Sequence, residues 1–392
     1  MFSAFDSQTR KRLAAAISCI SIVGIGLSLV IPLLALRLEA AGFPGHTNGL
    51  HIAVTGLATL IGAPLTPWLA RHLGIRTLLF GAFALGIAAL MGFAFCADYE
   101  LWLAIRALFG LSLTIIFVVS EYWISAAAPP AQRGLVLGLY ATVLALGFAI
   151  GPALLSLTGA QGQTPFFVAA ALIGAAAIPV ALAGKDGAVK MEGPSRPNLR
   201  KIFSAAPVAL GAALLYGAIE TGLNGLLPVF GLRSGFPQGW ATFQLTLVAL
   251  GNVVFPIPIG LVADRLNKRW MLAFFAFFGL AGALALPAFA ADRATYALAL
   301  FIWGGLIGGL YPVGLAILAE KFHGAQLASA NAAYIMMYAV GMMIGPPALG
   351  LGLDLASPRG LFDALAVLFL AYLGLVIAFS GPKRAIGGRG RA

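Results

Sequence analysis

Ionisable side chains are scarce in the long apolar stretches of this chain, and three of them stand where chemistry would need them. Glu220 lies within Tyr216-Gly217-Ala218-Ile219-Glu220-Thr221-Gly222-Leu223-Asn224. An ionised carboxylate in hydrocarbon is costly, so such a group tends to face an internal cavity and to serve function. There it could bind and release a proton as its surroundings change. Asn224, four residues on, shares its helix face. The competing reading is a carboxylate held permanently by a neighbouring helix. Arg106 lies about one and a half turns into its own apolar run. It would act as a functional cation, snorkel to the interface, or pair with an acid for structure. Glu121 follows it by 15 residues, about 22 Å along a helix, which puts it at the other end of the same run.

Other chemistries lack their residues. No Gly-rich phosphate loop followed by Lys-Ser/Thr is present, and no His-Glu-x-x-His or Gly-x-Ser-x-Gly pattern. An enzyme and a built-in ATPase are therefore not expected. Cys19 and Cys96 both fall in apolar runs without a vicinal partner, so neither a disulfide framework nor a metal site is expected, and no cofactor. The net charge of +11 does not point to nucleic acid, because the basic residues sit in short segments between apolar runs.

The elements that must position these residues are membrane helices. The 392 residues are 61% hydrophobic and only 9% charged, more apolar surface than a soluble fold can hide. Runs of about 20 apolar residues are long enough to span a bilayer. They fall at Leu13–Leu36, Asn48–Ala70, Thr77–Ala97, Leu101–Ala127, Gly134–Gly159, Thr164–Gly184, Ala205–Leu232, Trp240–Ala263, Trp270–Ala291, Ala294–Ala319, Ala328–Leu353 and Gly360–Ser380. They are too long for strands and lack period-two alternation. The first run lacks a clear cleavage site and reads as a retained helix. With the N-terminus inside, the inner segments hold Arg10, Lys11, Arg12, Arg71, Arg76, Arg133, Lys185, Lys190, Arg196, Arg200, Lys201, Arg265, Lys268, Arg269, Lys321, Lys383, Arg384, Arg389 and Arg391. The outer segments hold only Arg37, Arg233, Arg293 and Arg359. This asymmetry predicts twelve spans with both termini in the cytoplasm. Charged, proline-bearing residues 185–204 read as a cytoplasmic linker between bundles 1–184 and 205–392, the second with a short basic tail.

The halves repeat each other. Gly42-Phe43-Pro44 recurs as Gly235-Phe236-Pro237 and Arg76 as Arg269, both 193 residues on. Gly147, Gly151 and Pro152 recur as Gly341, Gly345 and Pro346 at an offset of 194. A parallel repeat predicts a pseudo-two-fold axis along the membrane normal and a cavity between the halves near mid-membrane.

These features resemble the major facilitator superfamily over almost the whole chain. Its Gly-x-x-x-Asp-Arg-x-Gly-Arg-Arg loop pattern is largely kept in Gly260-Leu261-Val262-Ala263-Asp264-Arg265-Leu266-Asn267-Lys268-Arg269. Asn267 stands in the glycine position, where asparagine tolerates positive φ. In the first half Arg71 replaces the acid. Arg106-Ala107-Leu108-Phe109-Gly110 matches the fourth-span signature, whose arginine the family associates with proton coupling. Gly147-x-x-x-Gly151-Pro152 is similar to the fifth-span signature of antiporters, with Leu155 and Ser156 in place of its closing glycines. Val118-Val119-Ser120-Glu121, Gly309-Leu310-Tyr311-Pro312 and Ala319-Glu320-Lys321, with basic Arg71, resemble the YcaD-type branch.

The resemblance implies an all-α integral membrane protein, twelve helices in two pseudo-symmetric six-helix bundles, in a bacterial inner membrane. The expected function is secondary active transport of a small solute by alternating access, with proton-coupled efflux of an amphipathic compound as the first reading. Uptake of a metabolite and a sensor on the same scaffold are the alternatives. Glu220, Arg106 and Asn224 are the candidates for proton coupling. Asn331, Tyr334 and Tyr338 share a face that could line the pathway, with Met336, Met337, Met342 and Met343 nearby. Asp264, Arg265, Arg269, Arg71, Glu121 and Glu320 are candidates for a cytoplasmic gate. Gly147, Gly151, Pro152, Gly341, Gly345 and Pro346 would allow close packing and bending. His51 and Gln244 read as interfacial residues. The expected partners are the solute, a proton and the lipid bilayer, with the chain acting as a monomer.

Overall fold

The computed structural model describes residues 7–96, 98–127, 133–183, 199–263 and 265–379. Among them lie fifteen helices and no strand. They are α1 (Ser7–Ala40), α2 (Gly45–Leu73), α3 (Ile75–Phe95), α4 (Leu101–Ala127), α5 (Arg133–Thr158), α6 (Thr164–Leu182), α7 (Leu199–Ala205), α8 (Pro207–Arg233), α9 (Gln238–Val254), α10 (Pro256–Ala263), α11 (Lys268–Phe289), α12 (Arg293–Gly308), α13 (Leu310–Lys321), α14 (Gly324–Leu355) and α15 (Gly360–Ala378). Among the described residues twelve spans are long and apolar enough to cross a membrane. We call the side where α1 begins and α15 ends the terminal face, and the opposite side the distal face.

Two expected spans are broken. The eighth is α9 followed by α10, because Pro256 cannot donate to the helical ladder. The tenth is α12 followed by α13, broken at Gly309, where the Pro312 ring crowds the preceding turn. Residues 185–198 of the expected linker lie outside the described residues, and its end forms the short helix α7.

The buried apolar residues form two clusters. One is drawn from α1 to α6 and the other mainly from α7 to α15. Large side chains such as Leu157, Ile257, Trp270 and Ile377 stand exposed on the outside, as a lipid-facing surface requires. The innermost spans are α1 and α8, with 83% and 78% of an apolar 18-residue stretch buried, against at most 56% in the other spans. Each is crossed closely by a glycine-bearing helix of its own bundle. A Cβ at Gly151 of α5 would lie 2.1 Å from Ser28 Oγ of α1, and one at Gly345 of α14 would lie 2.3 Å from the Ala218 Cα of α8. The repeat is visible again at the distal turns. Gly42 and Gly235 both take φ 82°, and each is followed by Phe-Pro leading into the next helix. The amides of Phe43 and Phe236 each reach back five residues, to the carbonyls of Leu38 and Gly231, at 3.0 and 2.9 Å. This is a Schellman-type closure that favours glycine at the left-handed position.

Candidate functional site

Glu220 sits at the midpoint of α8, thirteen residues from either end, so about 20 Å from each face. Among the described residues its carboxylate is held by phenols. Tyr338 of α14 donates at 2.5 Å and Tyr216, one turn earlier on α8, donates at 3.4 Å. Among the described residues no cation pairs with it. The Tyr216, Tyr311 and Tyr338 rings pack around it, with centroids 5.6 to 6.3 Å apart. Glu220 and these three tyrosines are all half-buried, so each keeps some accessible surface. Tyr311 comes just after the break at Gly309. Tyr334 is fully buried and donates its hydroxyl to the Tyr311 carbonyl at 2.7 Å, so it props the ring cluster from behind. Asn224 is half-buried and makes no hydrogen bond among the described residues, and the buried Oδ1 of Asn331 finds no partner.

Just distal to this site the two bundles close on each other. A Cβ at Gly49 would lie 2.3 Å from the Pro346 carbonyl oxygen, one at Gly56 2.8 Å from Met342 Cβ, and one at Gly225 2.1 Å from Ile52 Cδ1. Met342 is one turn beyond Tyr338, and Gly225 little more than one turn beyond Glu220. Towards the distal face the closure becomes polar. Thr246 donates to the Ala149 carbonyl at 3.1 Å and Ser156 to that of Gly239 at 2.9 Å. Arg233 binds Glu39 through two hydrogen bonds, and lies 3.6 Å from Asp354. Asp354 in turn accepts the Gly45 and His46 amides at 2.6 and 2.8 Å, with His46 Nδ1 at 2.9 Å.

Glu121 lies on the terminal side, exposed, within electrostatic reach of Tyr140 and, across the bundles, of Tyr311. The structure therefore does not bring Glu121 to Arg71, which is exposed and unpaired among the described residues. Nor does it bring Arg106 to Glu220. Arg106 is 2% exposed, its two terminal nitrogens find no acceptor among the described residues, and His51 is within its electrostatic reach. His51 and Gln244 are buried rather than interfacial, Gln244 accepting from Tyr296 at 3.2 Å. At the terminal face Glu320 pairs with Lys268 at 2.6 Å, within its own bundle. Arg265 is exposed, and Arg269 donates to the Phe379 carbonyl at 3.5 Å. Asn267 has φ −67°, not positive, and caps α11 by accepting from the Arg269 amide. Asp264 lies outside the described residues. Gly147 and Gly341, like Gly151 and Gly345, mark close crossings inside each bundle, and α5 and α14 continue through Pro152 and Pro346.

Sequence reasoning passed over Tyr216, Tyr311, Glu39, His46 and Asp354. Tyr216 carried a signal, its four-residue spacing from Glu220. Tyr311 carried only its place beside a helix break, and the distal charges carried none.

Paired six-helix bundles closed at one face over a mid-membrane carboxylate define a transporter fold. The Major Facilitator Superfamily profile matches residues 16–245 and 238–390, and the chain belongs to that superfamily. It is 24% identical over 371 residues to the uncharacterized MFS-type transporter YfkF of Bacillus subtilis, covering 93% of this chain and 94% of that protein. It is likewise 24% identical over 369 residues to the uncharacterized MFS-type transporter YcaD of Escherichia fergusonii, covering 92% and 94%. Among solved structures it is similar in fold to the nucleoside transporter NupG, with a TM-score of 0.77 at 14% identity, over 95% of this chain and 98% of that one.

Proposed function

We propose that this multi-pass membrane transporter works by proton-coupled alternating access and exports an amphipathic solute from the cytoplasm. The observation that carries the reading is Glu220, a mid-membrane carboxylate on one of the two innermost helices whose hydrogen-bond partners among the described residues are phenols. Phenols stabilise the anion less than a guanidinium or ammonium would, so the group can exchange a proton when its access changes. The closure that ends one turn distal to it supports an inward-facing conformation, with the terminal face in the cytoplasm, as the basic segments argue. Bundles 1–184 and 205–392 rock about the site, with 185–204 as the tether. Arg106, sealed on the distal side, is the fixed positive charge of the coupling. Arg71, Glu121, Asp264, Arg265, Arg269 and Glu320 belong to the terminal gate that forms when the distal side opens. The transporter acts as a monomer in the inner membrane.

The test is uptake of candidate solutes into proteoliposomes under an imposed pH gradient, read together with a luminal pH dye. Wild type should couple solute flux to proton movement, and in Glu220→Gln whatever exchange remains should no longer depend on the gradient. Gradient-driven flux that survives Glu220→Gln removes the proton role.

A further inference from the structure

We infer that the solute is a lipophilic organic monocation, bound against Tyr216, Tyr311 and Tyr338 with its charge on Glu220. The inference rests on the transport reading above and names the chemical class of its substrate.

Glu220 is a carboxylate with four acceptor positions, and the two phenol donors occupy only part of them. The titratable groups around it are Tyr216 on α8, Tyr311 on α13, Tyr334 and Tyr338 on α14 and, through Tyr311, Glu121 on α4. None of them is a cation. Among the described residues α1, α2, α9 and α15 add no charged group in contact with Glu220, and Tyr372 of α15 is committed to the Val208 carbonyl at 3.0 Å. Glu220 is therefore the one ionisable acid in contact with these rings among the described residues, with Glu121 of the first bundle in electrostatic reach of Tyr311 alone among them.

The second element is aromatic. Three ring faces and edges meet beside the carboxylate, Tyr311 standing 76° to Tyr338 and 49° to Tyr216. Ring faces attract cations, most strongly where water is excluded. A small hydrated metal ion would want several hard oxygen ligands, which one carboxylate and phenols do not offer. An anion would meet the Glu220 carboxylate and, among the described residues, no base. A monocation with apolar bulk satisfies both halves of the site, its charge on Glu220 and its body on the rings. Binding then displaces the proton from Glu220, so that one positive charge replaces another and the buried site stays neutral.

The test uses tetraphenylphosphonium and tetraphenylborate, ions of nearly the same size and shape but opposite charge, titrated by calorimetry into the purified full chain at pH 6 and pH 8. Tetraphenylphosphonium should bind about tenfold tighter at pH 8, with proton release seen as a buffer-dependent heat, while tetraphenylborate should not bind. Glu220→Gln should weaken the cation at least tenfold and abolish the pH effect. Tyr311→Leu should weaken it several-fold without removing the pH effect. Tyr338→Phe keeps the ring and guards against misfolding of the other variants. Equal binding of the two ions, or cation binding untouched by Glu220→Gln, overturns the inference. A parallel spin-label distance across the distal face separates the two readings. If that distance responds to pH in wild type while the cation fails to bind, the substrate class falls and proton coupling stands. If it does not respond to pH, the transport reading itself falls.

Discussion

Glu39 at the distal end of α1 and Arg233 at the distal end of α8 are joined by two charge-assisted hydrogen bonds, 2.7 and 2.9 Å long. The two helices belong to different bundles and are the innermost of each. The pair extends to Asp354 and so to the first turn of α2, which ties four helices at one face. Both side chains are about one-fifth exposed, so water screens the pair and its contribution is about 1 kcal/mol. Glu39→Ala or Arg233→Ala should therefore shift the population towards a distal-open form about fivefold, measured as spin-label distances across the distal face. The reversed pair, Glu39→Arg with Arg233→Glu, should recover much of the loss. An unmoved distance distribution in both single variants would show that the pair is not a latch.

Glycines at two kinds of crossing should answer differently to added bulk. Gly49 lies where the bundles meet, against the Pro346 carbonyl, so Gly49→Leu blocks distal closure without touching either core. We expect normal folding, a distal-open distance distribution and loss of net flux. Gly151 lies inside the first bundle, against Ser28. Gly151→Val should instead destabilise the protein by about 1–3 kcal/mol through overpacking, seen as a lower melting temperature in detergent. If both variants only melt earlier, the distal contact is structural packing rather than a moving seam.

Arg106 is costly where it sits. A buried donor without a partner is destabilising by about 1–3 kcal/mol, more when charged, and two guanidinium nitrogens are in that position. Arg106→Met keeps much of the volume and removes the charge. It should raise the melting temperature while lowering transport at least tenfold. A variant that melts earlier and transports normally would mean the guanidinium is a structural group.

Asp292, in the turn before α12, accepts from the Ala294 and Thr295 amides at 3.4 and 3.0 Å and from the Thr295 hydroxyl. The Thr295 hydroxyl, then the two amides, hold its carboxyl below the usual 3.8. A lowered folded value means that the capping contribution is full above that usual value and disappears as pH falls through the lowered one. Asp292→Ala should therefore melt slightly earlier than wild type at neutral pH, and the two curves should converge in strong acid. A constant gap at every pH would assign the effect to something other than the ionised cap.

The physics of the bilayer made much of this protein legible in one dimension. Lipid forbids unsatisfied backbone, so apolar runs had to be helices, and the placement of arginines and lysines predicts which ends face the cytoplasm. The repeat of Gly42-Phe43-Pro44 at Gly235-Phe236-Pro237 was readable because a left-handed turn restricts which residue can stand there. Glu220 stood out because its ionisation is expensive in that setting. Asn267 was misread, since a tolerance for positive φ does not say that the chain adopts it, and capping α11 needed only ordinary backbone.

The amino-acid order by itself determined twelve membrane helices in two related halves and one carboxylate that is costly to ionise in lipid, because each is a property of a single segment in its solvent. The tertiary structure decided which side chains answer that carboxylate. Tyr338 and Tyr311 reach Glu220 from other helices, Arg106 is carried away from it, and Glu39 finds Arg233 across 194 positions of chain. Those pairings depend on how helices cross and rotate, set by glycine contacts and whole-surface packing that no local pattern encodes.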